Sequence, residues 1–271
     1  MRILITGANG FLGRASLSLL PSTWDIVALT RTVNGSDTYP VTYHTPERMI
    51  ACETAFDGVM HFAAQIQHPR NGPAGFLPSN VDLCSQLVQA YPDARHVLAS
   101  SVSVYGQPGP QAITINTPCR PDQPYGLSKL AAECVIRHAE HHAVVRFSSL
   151  LGQGMYPQTF VPRIIADAHT HRRIMVMGTG ARMQNYLDVR DAAAMCVAAL
   201  KSTENFVSLG IAPRSWSNLD IAEMVASRLN AEIVLSGCDE SPSHVYAMTG
   251  SVELGHNMRP ISETLDWLVE R

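Results

Sequence analysis

Several large classes of protein are excluded by what this sequence lacks. Its six cysteines (Cys52, Cys84, Cys119, Cys134, Cys196 and Cys238) are scattered with no CxxC pair. That spacing argues against a disulfide frame and predicts reduced thiols in a cytoplasmic protein. Only 16% of residues are charged, the net charge is −3, and the longest basic stretch is the short HTHRR run at His169–Arg173. Nucleic acid is therefore not expected as a partner. No apolar run reaches the ~18 residues that a membrane span needs. The N-terminus opens on a strand pattern, with no charged segment and cleavage site ahead of it, so no leader is expected. Repeats and low-complexity tracts are also missing. What remains is a 271-residue chain, 46% hydrophobic. At roughly 100–200 residues per domain, it makes one large domain or a domain with a smaller lobe.

The first half alternates strand and helix patterns. Strands are predicted at Arg2–Thr6, Asp25–Thr30, Val59–Phe62, His96–Ala99 and Ala143–Phe147. Helices are predicted at Phe11–Leu20, Val81–Ala90 and Gly126–Glu140. That rhythm implies a parallel sheet built from right-handed βαβ units, with ligands bound beyond the carboxyl ends of its strands. After about residue 148 glycine and proline recur and the rhythm weakens. Asp191–Leu200 reads as a helix packing back on the sheet, and Leu219–Leu229 and Ile261–Leu268 as helices of a smaller lobe.

Five segments carry chemistry. Gly7-Ala-Asn-Gly10-Phe-Leu-Gly13 lies between the first strand and the first helix. Glycines there permit a tight turn and let the backbone approach a pyrophosphate, which faces unpaired N–H groups of the helix. The plain alternative is a glycine-rich turn, but the position favours a nucleotide loop. The second strand ends in Thr30-Arg31, without the acid that would bind the ribose hydroxyls of NAD. Arg31 suits the 2′-phosphate of NADP instead, the alternative being a solvated arginine. His61-Phe62-Ala63-Ala64-Gln65 puts small residues at a strand end. Ser100-Ser101 follows another strand, where a hydroxyl can hold a substrate oxygen, although serines there are often just turn residues.

Tyr125 and Lys129 fall four residues apart in PYGLSK, on one helical face. A nearby ammonium is expected to lower the phenol's value from roughly 10, fitting tyrosine for proton transfer to or from an alcohol or ketone oxygen. His138, His141 and His142 read as a helix end, not a metal site. Met175, Met177 and Met183 read as core or pocket-lining residues.

In order, the segments TGANGFLG, HFAA, SSVSVYG, PYGLSK, VVRFSSLLGQG and YLDVRDAA resemble the extended short-chain dehydrogenase/reductases, in their NAD(P)-dependent nucleotide-sugar epimerase/dehydratase-like branch. The resemblance covers nearly the whole chain. It implies an α/β fold, a Rossmann-type doubly wound parallel sheet with a small C-terminal substrate-binding lobe. Residues 1–148, with 186–200 returning, would form the cofactor domain; 149–185 and 201–271 would form the lobe. The resemblance further implies that Tyr125 is the general acid/base, that Lys129 binds the nicotinamide ribose and tunes Tyr125, and that Ser101 orients the substrate oxygen. Gly7, Asn9, Gly10, Phe11, Leu12 and Gly13 would surround the pyrophosphate, and Phe62, Ala63 and Ala64 would line the cofactor groove. Gln65, Ser101, Ser149 and Arg182 are the candidate substrate contacts, Asp191 is expected to be structural, no metal is implied, and a homodimer through helices is a family expectation.

Departures from the family pattern narrow this reading. Dehydratases carry an Asp-Glu pair after the catalytic hydroxyl; Val102-Ser103 stands there. The acid that often touches adenine after the third strand is replaced by His44 or Thr45. An arginine that often grips the diphosphate is replaced by Gln184, with Arg182 two residues away, and the usual histidine of that motif is Asp188. These changes weigh against dehydration and against a standard UDP-sugar, and leave the redox core intact. The expected activity is hydride transfer at a secondary alcohol or ketone of a sugar nucleotide or related small carbonyl substrate. The enzyme would be a ketoreductase or 4-epimerase using NADP(H) in preference to NAD(H). A non-catalytic NADP(H)-sensing regulator or scaffold on the same fold is the alternative, disfavoured by the intact Ser–Tyr–Lys set.

Overall fold

A computed structural model describes residues 1–30, 41–44, 55–66, 73–254 and 257–270. Seven parallel strands form the main sheet: β1 (Arg2–Thr6), β2 (Asp25–Leu29), β3 (Val41–His44), β4 (Gly58–His61), β5 (Arg95–Ser101), β6 (His141–Phe147) and β10 (Phe206–Gly210). Their order is β10-β6-β5-β4-β1-β2-β3. β1, β4 and most of β5 and β6 are buried, as expected of strands covered on both faces. Order reverses beside β1, where the chain runs outward to β2 and β3 and then returns through β4. The glycine loop leaves β1 at this switch point, where doubly wound sheets bind ligands.

Helices α1 (Phe11–Leu17), α2 (Leu83–Ala90), α3 (Pro124–Ile136) and α5 (Val189–Lys201) flank the sheet. A core of Ile3, Ile5, Ala28, Met60, Val97 and Val145 meets Ala192, Met195 and Cys196 of α5. Among the described residues no helix is long and apolar enough to cross a membrane.

A second core lies between α4 (Phe160–His171), α6 (Asn218–Leu229) and α7 (Ile261–Val269), around Ile164, Ile174, Tyr186, Ile221, Val225 and Leu265. Two small sheets accompany it. One orders β11 (Ser215–Ser217), β9 (Met183–Asp188) and β7 (Ser149–Leu151); the other pairs β8 (Arg173–Met177) with β12 (Glu232–Ser236) in parallel.

Several expectations are corrected. α1 stops at Leu17 rather than Leu20: the N–H groups of Leu19 and Leu20 donate to the carbonyls three residues back, at Ser16 and Leu17, so the last turn tightens ahead of Pro21. α3 ends at Ile136 and His141 and His142 open β6, so these histidines do not end a helix. The stretch after residue 201 is not all lobe, since β10 pairs with β6 along Phe206–Gly210 and closes the main sheet. Met175 is not core: it stands on the outer face of β8, 39% exposed, whereas Met177 and Met183 line cavities, within the expectation.

Candidate active site

The glycine loop is shaped by packing. Gly7 has φ +69°, and a Cβ there would lie 2.6 Å from the Ala63 nitrogen; a Cβ at Gly13 would lie 2.3 Å from the Gly7 carbonyl oxygen. Both glycines are therefore required for the loop to rest on β4 and α1. Thr6 reinforces the arrangement, its Oγ1 accepting from the Phe62 and Ala63 N–H groups at 3.1 and 3.0 Å. Asn9 Nδ2 lies 3.5 Å from Thr30 Oγ1 at the end of β2. Gly10 is exposed at the loop's crest, where an added Cβ would meet only the Gly7 oxygen, at 3.0 Å. With Phe11, Leu12, Ala63 and Ala64 only partly buried around it, this groove fits a dinucleotide. Arg31 and Thr45 lie outside the described residues.

Ser101 ends β5 and caps the turn Val102–Tyr105, its Oγ accepting from the Ser103 N–H at 3.2 Å. Tyr125 enters from the first turn of α3, which Pro124 starts without losing a needed donor. The two hydroxyls line one cavity. Burial pushes the Tyr125 phenol up to about 12, and Ser101 opposes that shift. This corrects the expectation that Lys129 lowers it: the Lys129 Nζ sits 6.0 Å from the Tyr125 ring centroid and donates to the Ala99 carbonyl at 2.7 Å. Burial also pulls the Lys129 ammonium down to about 8.

Asn80 is a site residue that sequence reasoning missed. It is 1% exposed. Its Oδ1 accepts from the Gln65 N–H at 2.7 Å, and its Nδ2 donates to the Gln65 carbonyl at 3.2 Å and to Ser128 Oγ at 2.9 Å. One amide thus ties the end of the β4 loop to the first turn of α3. The available signal was an asparagine just ahead of an apolar helix, which reads equally as a helix start.

A cavity of about 610 Å³ opens beside the hydroxyl pair, lined by Ser101, Ser103, Tyr125, Ser149, Arg182 and His244 among others. Ser149 and Arg182 thus share a cavity with Tyr125. Gln65 does not line it; its backbone is taken by Asn80, and its Oε1 lies 3.4 Å from Ser79 Oγ. Arg182 also lines a second cavity of about 770 Å³ with Gln158, Arg163, Asn218 and Asp239. Gln184, where the family often has arginine, donates to Asn218 Oδ1 at 2.8 Å.

The carboxylates of YLDVRDAA are structural. Asp188 caps α5, accepting from the Arg190 N–H at 2.8 Å and from Thr264 Oγ1 of α7 at 2.8 Å. Burial raises its carboxyl, but the Arg190 hydrogen bonds outweigh that and hold it below the usual range. Asp191 is fully buried and accepts from the backbone N–H and the guanidinium of Arg259. Both pin the C-terminal segment to α5. Among the described residues no group of three or more His, Cys, Asp or Glu is placed to hold a metal ion.

Known proteins agree with this architecture. UDP-glucose 4-epimerase of Lactobacillus helveticus is 26% identical, over 82% of this chain and 80% of that protein. dTDP-D-glucose 4,6-dehydratase of Bos taurus is 29% identical, over 54% of this chain but only 44% of that protein. The structure of MoeE5 in complex with UDP-glucuronic acid and NAD superposes with a TM-score of 0.85 at 23% identity, covering 100% of this chain and 98% of that one, and so shares the fold. The family's sequence model matches residues 3–211, from the first strand to just past the last strand of the main sheet, and on that ground the chain belongs to the NAD dependent epimerase/dehydratase family.

Proposed function

We propose that this enzyme is a nucleotide-sugar 4-epimerase, moving hydride reversibly between a nicotinamide cofactor and a secondary alcohol of the sugar. The observation that carries the reading is that Ser101 and Tyr125 line one cavity with no carboxylate at the two positions after Ser101. Val102 and Ser103 supply no acid–base pair for removing water, and Asp122, which also lines the cavity, is engaged by Gln107 Nε2 at 2.9 Å. In the oxidative direction Tyr125 would act as the phenolate, the form that the positive nicotinamide ring favours when bound, and take the hydroxyl proton as the substrate carbon loses hydride. In the reductive direction Tyr125 returns the proton to the carbonyl oxygen, with Ser101 holding that oxygen. The nicotinamide, when bound, supplies the hydride acceptor and donor. Gly7, Asn9, Gly10, Phe11, Leu12 and Gly13 would hold its pyrophosphate, Phe62, Ala63 and Ala64 its groove side, and Lys129 its ribose. Arg182, shared by the two cavities, stands where a diphosphate would join a sugar in one to a nucleoside in the other.

The test incubates the enzyme with UDP-glucose, dTDP-glucose or their 4-epimers and either cofactor. Inversion at C4 with no net change in nicotinamide absorbance is expected. Stoichiometric loss of the reduced cofactor would make it a ketoreductase instead, and a 4-keto-6-deoxy product would sink the reading.

Arg31 favours the second of these outcomes, through NADPH. It directly follows Thr30 at the end of β2, with no acid beside it. We expect NADP(H) to bind about tenfold or more tightly than NAD(H), and Arg31→Ala to erase the difference, since a guanidinium–phosphate contact is charge-assisted. Equal affinities in the unaltered enzyme, measured by calorimetry, would assign the cofactor to NAD.

A further inference from the structure

Tyr125, Lys129 and Glu133 repeat at four-residue spacing along α3, so an acid continues the face that carries the tyrosine and the lysine. Glu133 is 1% exposed. Its carboxylate accepts from Ser100 Oγ of β5 at 2.5 Å, from Arg146 Nε of β6 at 3.0 and 3.2 Å, and from Arg146 Nη2 at 2.6 Å. Arg146 Nη1 donates onward to Tyr105 OH at 2.9 Å, and its guanidinium lies 5.0 Å from the Tyr105 ring centroid. Ser100, Tyr105 and Arg146 are all buried.

Ser100 immediately precedes Ser101. Tyr105 closes the turn that Ser101 caps, and Glu133 lies one helical turn past Lys129. One buried carboxylate therefore links the elements that present all three candidate catalytic groups. Resting on the hydride-transfer reading above, we propose that Glu133 is a positioning residue. Clamped by Ser100 and Arg146, it holds α3 against the end of β5 and sets an anionic charge one turn from the Lys129 ammonium.

Stability alone does not call for this arrangement, because well-packed apolar residues can replace a buried ion pair at little or no cost. The charge has a local use. The Lys129 charge is felt at His61 of β4 and Cys84 of α2, and Tyr125 and Glu133 lie one turn either side of it on its own helix, with Arg146 of β6 behind Glu133. Burial pushes the Cys84 thiol up to about 11 and holds His61 well below the usual histidine range. Cys84, His61 and Tyr125 are therefore neutral at pH 7, and the negative charge beside Lys129 is the Glu133 carboxylate that pairs with Arg146 at 2.6 Å.

The chain contains two lysines, Lys129 and Lys201. Isotope-labelled lysine therefore gives two side-chain NMR signals, assigned with Lys201→Arg, and Lys129 can be titrated with no substrate present. Glu133→Gln is expected to move its midpoint to lower pH by on the order of one unit. If that variant does not fold around an unpaired Arg146, the Glu133→Gln/Arg146→Met double variant is read against Arg146→Met alone, so that the loss of the Arg146 cation cancels and the same downward shift is expected. An unmoved midpoint in the folded variant overturns the electrostatic role. Ser100→Ala keeps the ion pair and cuts only the tie to β5. It is expected to lower kcat about tenfold, with KM and cofactor affinity within about twofold and the Lys129 midpoint unchanged. Unaltered kcat overturns the clamp. Because the titration needs no turnover, a wild-type enzyme inactive on every nucleotide sugar would refute the proposed function while leaving the Lys129 result readable.

Discussion

Replacing Tyr125 with Phe is expected to cut turnover by about 10³-fold, the scale of a lost general acid–base group, while cofactor affinity stays within about twofold. The substitution removes one oxygen and keeps the ring, whose centroid lies 6.4 Å from that of Phe76. Neither Ser101 nor Lys129 is set to take over the proton. Ser101 is an ordinary alcohol, and the Lys129 ammonium is turned to the Ala99 carbonyl. The measurement pairs kcat for C4 inversion with cofactor binding by fluorescence; full activity in the variant would sink the mechanism.

The wild-type rate carries a pH signature as well. Burial holds the Lys129 ammonium down at about 8, so the cation is present below that pH and lost as pH rises through it. The rate is expected to fall on the alkaline side. Stability responds with the opposite sign. An unfolded lysine keeps its proton to roughly 10.4, so between about 8 and there the unfolded chain binds more protons. Folding stability from this group therefore increases with pH across that window.

The main sheet was legible because its strands are continuous apolar runs separated by turn signals. β1 and β5 leave little choice of period, and the glycine loop sits where only a strand-to-helix turn fits. The second half hid its elements for different reasons. α4 has an apolar stripe at Val161, Ile164, Ile165 and Ala168, yet Pro162 and the glycine-rich flanks masked it. β8 alternates buried and exposed residues, but after Arg173 its exposed positions are Met175 and Met177, so the pattern reads as an unbroken apolar run. β10 completes a sheet whose other strands lie far away in sequence, and nothing local announces a seventh strand. At the site, Ser101, Tyr125 and Lys129 were readable as spacing. The roles of Asn80 and Glu133 were not, because each is defined by partners on other elements: Gln65 and Ser128 for one, Ser100 and Arg146 for the other.

The glycine loop carries the second large effect, and two of its glycines should fail differently. Gly13→Ala places a methyl 2.3 Å from the Gly7 oxygen and 2.7 Å from both Cα and O of Ala8. All three contacts are backbone atoms, which cannot rotate aside. The loop cannot retreat as a unit either, because Gly7 already rests against the Ala63 nitrogen at a φ that disfavours any side chain. Either α1 shifts off β1 or the loop lifts. We expect a loss of about 3 kcal/mol, the upper range for overpacking, and a Tm lower by about 9 °C at about 3 °C per kcal/mol. Cofactor affinity should fall about 100-fold through the displaced loop. Gly10→Ala meets only the Gly7 oxygen, at 3.0 Å, from an ordinary extended backbone with φ −77°. Its Tm should change by only about 1–2 °C, a few tenths of a kcal/mol. Its cofactor affinity should still drop, because the methyl stands on the exposed crest where a pyrophosphate must approach the backbone. Thermal melts and cofactor titrations of the two variants separate these effects. A Gly13→Ala protein as stable as wild type would mean that the loop is not packed on α1 as described. A Gly10→Ala protein with undiminished cofactor affinity would place the pyrophosphate elsewhere.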